Sequence, residues 1–573
     1  MAEEQSKHGL TRRDVLRGGA VVGATVAVGS VGTTAAAHGG GHGGGGGRKP
    51  SGRIRLVNGR IHTMDARDRV VSSVLIEDGR FAAVGQGGHG GGDGGDTRTI
   101  NLKGRTVVPG IIDNHNHIVL MGNRPGYHTP LENAYSIEDV QETYAERAED
   151  IPDGAWITTI GGFHRNHLVP PSETPRLPTL AELDEAVPDN PVYISEAFAG
   201  PSVTNTLGKA FFESRGIPVG ADGSIAAGFG ASPTGQATFA LRQTLLDFEQ
   251  RKRGTIDAIA YGLSLGVTTH IDEGAFQTAG DATDGSAHED NYSMHLPFLA
   301  VHDDGDLDAR VRINFLHMES DPATPGLVER LKNAFPFFGN EMLRTGGIGE
   351  FIAQGTGPTS PFQAAARRVA QARWRAEVHS LSATDFLDEI AAYEAANAEF
   401  DITDLRWVIA HVPFITAAAL DRLHAIGGGV SLTGWRYLAG SPAQNGPPFR
   451  MIVDHAIPSG MSSDGMQIAP MNPWLHAYYA TTGRNARGVL INGGQQITRT
   501  ELLRLYTTGN QWFLGEEDTI PLGTIEVGKL ADLAVLNRDY FTVPDEDLKQ
   551  IRSVLTIVDG RIVHDGTVRT RHG

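Results

Sequence analysis

The sequence of 573 residues predicts an α/β protein built around a TIM-like (β/α)8 barrel, with a small β-sandwich made by both chain ends. Eight apolar, β-type runs alternate with helical segments between residues 106 and 515, which is typical of parallel strands joined by crossover helices. Shorter β-rich runs flank this region on both sides. The segment after the first run is much longer than a crossover requires, so we expect an inserted subdomain there.

The predicted barrel strands are Thr106–Ile112, Gly266–Ile271, Arg310–Leu316, Gly346–Phe351, Ala376–His379, Leu405–Ala410, Gly428–Leu432 and Ile457–Ser462. The predicted helices among them include Gln236–Leu263, Pro361–Arg375, Ser382–Glu394 and Ile415–Ile426. A barrel of this kind carries its chemistry at the carboxyl ends of the strands. The functional residues are therefore expected where these runs end.

The two flanks share a β-rich style with tight turns. At the amino-terminal end the predicted strands are Ile54–Asn58, Arg60–Met64, Val70–Glu77 and Arg80–Val84, and Asn-Gly and Asp-Gly turns indicate an antiparallel sheet. At the carboxyl-terminal end they are Ala531–Asn537, Ile551–Val558 and Arg561–His564. We expect residues 51–105 and 516–573 to build one sandwich around the barrel of residues 106–515.

The expected insert begins after His117 and extends to about Gln236. Trp156–Ile160 and Pro191–Ser195 are predicted strands inside it. We therefore assign a subdomain at about residues 140–236 that lies over the mouth of the barrel.

The amino-terminal residues 1–37 resemble a twin-arginine export signal. Arg12 and Arg13 precede a weakly apolar stretch, Gly18–Val31, which is too short to span a bilayer of about 30 Å. Three consecutive alanines follow it. We expect the chain to be exported by the twin-arginine translocation machinery to the periplasm, the cell surface or the medium, with no stable membrane anchor.

Two glycine-rich stretches are expected to lack a packed core of their own. Residues 38–50 predict a linker, and Gly87–Gly95 predicts a hairpin loop, because such segments cannot bury apolar area against their ordering entropy.

The composition excludes several classes of site. The chain has no cysteine, which excludes disulfides, thiol nucleophiles and zinc–cysteine sites. Without cysteine, any metal must be held by His, Asp or Glu. A formal net charge of −18 gives no electrostatic basis for binding nucleic acid or an anionic membrane.

Four histidines occur where predicted barrel strands end. His115 and His117 are two residues apart, so their side chains project from the same face of a strand. His379 and His411 close two later apolar runs. Each histidine alone is more typical of a core or capping residue, but four at one barrel rim indicate a metal site.

Two carboxylates complete the predicted cluster. Glu350 belongs to the fourth run, and Asp464 follows the eighth in a Ser-Asp-Gly sequence that also suits a simple turn. A carboxylate beside a metal can accept a proton from water and later return it to a leaving group. We therefore assign His115, His117, Glu350, His379, His411 and Asp464 as candidate metal ligands, and either carboxylate is a candidate for the proton transfer.

These motifs resemble the amidohydrolase superfamily, in particular its family 3 branch, which includes N-substituted formamide deformylase and related hydrolases of carbon–nitrogen bonds. The resemblance rests on Pro109–Asp113 before His115 and His117, on His379 and His411, on Ser463-Asp464, on Leu183–Tyr193 and on Gly523–Leu533. It covers almost the whole of the chain after the signal.

The resemblance implies that His115 and His117 bind the more buried metal and that Asp464 is both ligand and general base. It implies that His379 and His411 bind a second metal or orient the substrate. The expected cofactor is one or two divalent ions, with zinc first and Fe, Mn, Co or Ni as alternatives that such a site accepts. The resemblance also suggests a homodimer.

The sequence departs from the superfamily at the fourth strand. Many members carry a carboxylated lysine there as a bridging ligand, whereas this sequence has Glu350 and no lysine between Lys332 and Lys529. A glutamate can also bridge two ions, so a binuclear site remains open.

We predict a metal-dependent hydrolase that cleaves a non-peptide carbon–nitrogen bond, an amide or an N-acyl or N-formyl group, of a small molecule. Trp435, Arg436 and His270 are candidate substrate contacts, with a packing role as the alternative for each. Two other functions stay open: an esterase or lactonase using the same site, and a non-catalytic exported protein that binds a metal or a solute.

Overall fold

The computed structural model describes residues 52–85, 97–197, 199–274, 293–466, 468–515 and 521–567. The predicted export signal, the linker of residues 38–50 and the glycine run Gly87–Gly95 lie outside these ranges. Within them, no helix combines the length and the apolar character needed to cross a membrane.

The chain begins with short strands and then enters a mixed α/β segment. The first strands are β1 (Arg53–Val57), β2 (Arg60–His62), β3 (Val70–Val71), β4 (Val74–Glu77), β5 (Arg80–Val84), β6 (Thr97–Asn101) and β7 (Thr106–Pro109). Next come β8 (Ile111–Asn116), α1 (Ile118–Gly122), β9 (Tyr127–His128), α2 (Ile137–Glu149), β10 (Ile157–Ile160), α3 (Leu180–Ala186), β11 (Val192–Ser195), β12 (Ser202–Thr204), α4 (Thr206–Glu213), β13 (Ser224–Ile225) and α5 (Pro233–Leu245).

Helices and strands then alternate. They are α6 (Phe248–Ser264), β14 (Val267–Asp272), α7 (Leu296–Asp304), β15 (Arg310–Phe315), α8 (Pro325–Asn333), β16 (Leu343–Ile348), α9 (Phe362–Gln371), β17 (Glu377–Ser380), α10 (Ala383–Phe400), β18 (Val408–His411), α11 (Ala417–Ala425), β19 (Gly429–Thr433), α12 (Arg436–Ala439), α13 (Phe449–His455) and β20 (Ser459–Ser462). The last elements are α14 (Pro473–Thr482), α15 (Arg499–Arg504), β21 (Leu533–Leu536), β22 (Ser553–Val558) and β23 (Arg561–Asp565).

Strands from both chain ends share one sheet. Its order is β23-β22-β21-β7-β2-β3, so β21 from the end of the chain pairs antiparallel with β7 from its beginning. A second sheet has the order β5-β4-β1-β6. Buried side chains of the two sheets, such as Leu56, Ile76, Val107 and Leu533, form one hydrophobic cluster.

The expectation of a single antiparallel amino-terminal sheet is wrong. The run Val70–Glu77 divides into β3 and β4, which belong to different sheets, and β1 and β6 pair in parallel. Because β2 pairs with the distant β7, the Asn-Gly turn carries the chain from one sheet to the other and does not close a hairpin. The strands before and after the predicted hairpin loop, β5 and β6, lie at opposite edges of their sheet and do not pair with each other.

The eight predicted central runs all correspond to parallel strands, in two sheets of four. The orders are β16-β15-β14-β8 and β17-β18-β19-β20. A parallel bridge between Ile348 and Ala376 connects the two sheets at one side. At the other side, the Asn510 amide donates to the carbonyls of Ile112 on β8 and Met461 on β20.

The first central strand begins later in the chain than predicted. Thr106–Ile112 was predicted as one strand, but β7 ends at Pro109 and β8 begins at Ile111. Gly110 separates them, and a Cβ there would lie 2.1 Å from Thr268 Oγ1. The close approach requires glycine at the point where the chain leaves one sheet for the other.

The predicted helix Gln236–Leu263 is two helices, α5 and α6. Asp247 separates them, and its side chain accepts a hydrogen bond from the backbone N–H of Gln250 at the start of α6. Ser382 and Thr416 cap α10 and α11 in the same way.

The segment between β8 and α6 has its own sheet, in the order β13-β12-β11-β10-β9. The predicted strands Trp156–Ile160 and Pro191–Ser195 are there as β10 and β11, paired in parallel. This segment reaches the loops at the carboxyl ends of the central strands. A Cβ on Gly162 would lie 2.7 Å from Met466 Cε, and the Asn166 amide donates to the Leu438 carbonyl over 2.8 Å.

A buried ion pair joins the central strands to the sheet shared by the chain ends. Arg310 on β15 contacts Asp532 through two hydrogen bonds, Nε to Oδ2 at 2.8 Å and Nη2 to Oδ1 at 3.0 Å. The Asp532 carbonyl also accepts from the N–H of Gly110. This aspartate, part of the Gly523–Leu533 motif, therefore holds together the start of β8, a central strand and the returning chain.

We predict that Arg310→Met lowers the free energy of unfolding by about 3–5 kcal/mol, because Asp532 is left as an unpaired buried charge. Urea titration followed by circular dichroism measures the change. Arg422→Met is the control, since Arg422 forms a partly exposed pair with Glu394 on the surface, worth about 1 kcal/mol or less. Equal losses in the two variants would contradict this role of Arg310.

Candidate metal centre

Six polar side chains meet at the carboxyl ends of five central strands. His115 lies on β8 and His117 directly follows it, and their ring centroids are 5.7 Å apart. His379 lies on β17 and His411 ends β18, and their centroids are 4.6 Å apart. Glu350 and Asp464 each lie two residues beyond the end of a strand, β16 and β20 respectively. The structure thus brings together all six residues assigned from the sequence: His115, His117, Glu350, His379, His411 and Asp464.

The two carboxylates lie between the imidazoles. Glu350 Oε2 is 3.2 Å from His117 Nε2, and Glu350 Oε1 is 3.3 Å from His411 Nε2. Glu350 Oε1 also contacts His379 Nδ1. Asp464 Oδ1 is 3.3 Å from His117 Nε2 and 3.9 Å from His115 Nε2. Glu350 therefore presents one oxygen to each side of the cluster.

The cluster is closed except at one histidine. The side chain of His379 is 22% exposed, whereas those of His115, His117, Glu350 and Asp464 are at most 4% exposed. A cavity of about 180 Å³ adjoins Glu350 and His379. Solvent and small molecules thus have access to the cluster from the His379 side.

Other buried groups orient the two histidines of β8. His115 Nδ1 lies 2.7 Å from Glu377 Oε1, and His117 Nδ1 lies 2.8 Å from the Gly274 carbonyl oxygen. Both oxygens are acceptors, so each Nδ1 carries a hydrogen and each Nε2 faces the carboxylates. A carboxylate or carbonyl behind a histidine in this way is typical of metal-binding imidazoles.

The electrostatics of the cluster favour a cation. Burial lowers the pKa of His115, but the hydrogen bond to Glu377 and nearby carboxylate charges raise it to about 10. For Glu350, burial raises the pKa, yet the charge of His379 and the hydrogen bond with His117 bring it well below the ordinary value. The pKa values of His115 and His117 are both raised, so protons on these two imidazoles would compensate the carboxylates in the chain alone, and a divalent ion would supply the same compensation.

The donor set fits a divalent metal. Three groups of residues have ligand atoms that all lie within 4.8 Å of one another: His115 with His117 and Asp464, His115 with Glu350 and His411, and His115 with Glu273 and Glu377. His115 Nε2 is buried and makes no hydrogen bond within the described part of the chain. Nitrogen and carboxylate ligands suit zinc and also Fe, Mn, Co or Ni.

The fourth central strand ends earlier than predicted. Gly346–Phe351 was the expected strand, but β16 covers Leu343–Ile348. Glu350 therefore lies on the loop after the strand, where its backbone carbonyl accepts from the N–H of His379 over 3.0 Å.

Sequence reasoning missed Glu377, and a second buried glutamate, Glu273, lies close to it. Glu377 contacts His115 on one side and Arg375 Nη2, at 2.8 Å, on the other. Glu273 accepts from Asn314 Nδ2 over 2.7 Å, and burial together with the charge of Glu377 raises its pKa well above the ordinary value. A glutamate two residues before His379 in the same strand was the available signal, because both side chains then share a face of the strand.

The predicted substrate contacts lie in different places. Trp435 and Arg436 are half-buried after β19, with the Arg436 guanidinium 3.9 Å from the centre of the indole ring. His270 is completely buried, its Nδ1 lies 3.3 Å from Asn116 Nδ2, and a Cβ on Gly262 of α6 would lie 3.0 Å from its ring. His270 therefore packs against a helix, which argues against the predicted contact with substrate.

The fold, with parallel strands that carry this cluster at their carboxyl ends, is similar to that of solved α/β metal-dependent hydrolases. A metal-dependent hydrolase of Pyrococcus horikoshii, described as uncharacterized, matches 86% of this chain and 99% of its own at a TM-score of 0.56 and 17% identity. The zinc complex of atrazine chlorohydrolase from Arthrobacter aurescens matches 89% of this chain and 95% of its own at a TM-score of 0.52 and 16% identity. At these identities the likeness concerns the fold alone.

Residues 98–564 match the amidohydrolase family, and the chain therefore belongs to it. One relative, N-substituted formamide deformylase of Arthrobacter pascens, is 30% identical to this chain over 155 residues. That match covers 27% of this chain and 28% of the deformylase.

We predict that Glu377→Gln lowers the affinity for zinc about 10–100-fold, because the carboxylate that orients His115 is lost. Competition with a chelator of known affinity measures the change, and circular dichroism checks that the variant is folded. Glu394→Gln is the matched control, since Glu394 pairs with Arg422 on the surface. An unchanged zinc affinity in the Glu377 variant would refute the orienting role.

Proposed function

We propose that this protein is a metal-dependent hydrolase that cleaves a non-peptide carbon–nitrogen bond of a small molecule, an amide or an N-acyl or N-formyl group. The observation that carries the proposal is the buried cluster of four histidines and two carboxylates at the strand ends of an amidohydrolase-family chain. The limited match to the deformylase supports this type of bond.

In this proposal His115, His117 and Asp464 would hold one ion, and His411, His379 and Glu350 would hold a second ion or contact the substrate. A divalent ion at this place supplies Lewis acidity toward the substrate carbonyl and lowers the pKa of water. Glu350 is suited to join two ions, because its two oxygens face His117 and His411 separately.

Asp464 is proposed as the general base. Its Oδ1 lies at the cluster, and its backbone N–H donates to the His115 carbonyl over 2.9 Å, which holds the residue against β8. The carboxylate takes a proton from the attacking water and returns it to the leaving nitrogen. His379, the one partly exposed histidine among the four of the cluster, is proposed to orient the substrate.

We propose that the two four-stranded sheets close into one (β/α)8 barrel. The Ile348–Ala376 bridge supports closure at one side, and the Asn510 amide supports it between β8 and β20. The proposed boundary between sandwich and barrel is Gly110, and residues 140–236 are proposed as a lid-forming insert.

We predict that Asp464→Asn lowers turnover of a hydrolysed amide about 10²–10⁴-fold while part of the metal is retained, because the general base is lost but one ligand oxygen remains. Rates with a panel of N-acyl, N-formyl and cyclic amides and elemental analysis provide the test. Asp421→Asn, on the surface of α11 beside His455, is the control.

Unchanged turnover in the Asp464 variant would refute its role as base. Hydrolysis of esters or lactones but no amide by the zinc-loaded protein would favour the esterase alternative. Metal binding without turnover of any member of either panel would favour a binding protein.

We also propose export through the twin-arginine pathway, which rests on Arg12 and Arg13 in the sequence. The double variant Arg12→Lys/Arg13→Lys is expected to keep the full-length chain in the cytoplasm of a host that has this pathway, because the paired arginines are the recognised address. Immunoblots of cell fractions measure the distribution. Arg17→Lys is the control, and export of the double variant at the unaltered level would contradict the proposal.

A further inference from the structure

A side cavity extends from the cluster of histidines and carboxylates toward helices α9 and α10. Glu350 and His379 line one part of it, and Phe351 and Phe362 give it aromatic walls. Its volume of about 180 Å³ is slightly larger than a cavity that holds one benzene molecule, about 150 Å³. The cavity therefore has room for a ring-sized substituent beside the cluster.

Glu389 of α10 lines the same cavity and forms no ion pair with any residue that the structure describes. The residue has no exposed surface, and neither carboxyl oxygen makes a hydrogen bond within the described residues. Burial raises its pKa well above the ordinary value; the nearby Ser380 hydroxyl opposes this shift, and the charges of Asp385 and Asp388 add to it. A buried carboxyl without such a partner costs stability, so its presence at a cavity wall points to a ligand.

A second carboxylate faces the same space from one helical turn earlier. Asp385 is four residues before Glu389, lines the cavity and is half-buried. Its only hydrogen-bond donor to the side chain among described residues is Thr356 Oγ1, at 3.3 Å. No lysine or arginine in the described part of the chain forms an ion pair with either carboxylate.

We propose that this cavity binds a ring-sized, cationic substituent of the substrate, with a protonated amine held between Asp385 and Glu389. The proposal rests on the hydrolase function above and specifies its substrate class: amides that carry a basic amine on the group beside the scissile bond. The apolar walls contact the ring, the two carboxylates bind the ammonium, and the amide group reaches the cluster at His379.

Binding tests the cavity without any turnover. The probes are cyclohexylammonium and cyclohexanol, which differ in charge and match in size, and calorimetry measures their affinities for the zinc-loaded, full-length protein. We expect the ammonium to bind at least tenfold more tightly than the alcohol. Glu389→Gln and Asp385→Asn should each remove most of that difference, whereas Glu394→Gln on the same helix should retain it.

Equal affinities for the two probes, or a preference that survives in both cavity variants, would overturn the proposal. Thermal unfolding provides a second readout. Because the amide introduced by Glu389→Gln has no charge to bury, we expect this variant to be at least as stable as the parent. A cooperative transition then shows that a lost preference is not a loss of fold.

Kinetics then connect the cavity to the reaction. The substrates are the mono-N-formyl derivative of trans-1,4-diaminocyclohexane and N-formyl-trans-4-methylcyclohexylamine. We expect the ratio of their kcat/KM values to exceed ten and to fall at least tenfold in Glu389→Gln. A ratio near one in the parent would overturn the proposed substrate class. Ammonium binding without hydrolysis of either compound or of any other amide would leave the cavity in place and refute the proposed cleavage of carbon–nitrogen bonds.

Discussion

The structure depends on the burial of two carboxylates at one point. Glu350 and Asp464 are almost completely removed from water, and such charges are stable only with close compensation. Four imidazoles surround these carboxylates, and the raised pKa of His115 indicates that positive charge is favoured there. The arrangement is therefore complete only with protons or with metal ions between these side chains.

Hydrogen bonds from neighbouring residues hold the side chains of the cluster in position. Glu377 and the Gly274 carbonyl fix the rings of His115 and His117, and Ser463 donates from both its N–H and its hydroxyl to Asp113 two residues before His115. Each contact joins two different central strands or the loops after them. The ligand positions are thus a property of the strand packing, and a shift of one strand would change several ligands together.

Outside the cluster, two sets of buried charged groups differ in whether they have hydrogen-bond partners. Arg310 and Asp532 compensate each other fully where the central strands meet the sheet of the chain ends. Glu389 is equally buried but accepts no hydrogen bond within the described residues. The ion pair stabilises the fold, and each partner satisfies the other. The Glu389 carboxyl, buried at a cavity near His379, lowers the stability of the free protein, and binding of a ligand can offset this loss.

The sequence by itself determined the alternation of strands and helices, the parallel central strands, the β-rich ends and the six clustered side chains, because local apolar runs and strand-end histidines report these directly. Tertiary structure alone decided the separation of β7 from β8 at Gly110, the division of β2 and β4 between two sheets, the packing of His270 against α6 and the surroundings of Glu389. These features depend on residues distant in the chain. Pairing and burial over such separations carry no local signal, so propensity and spacing cannot predict them.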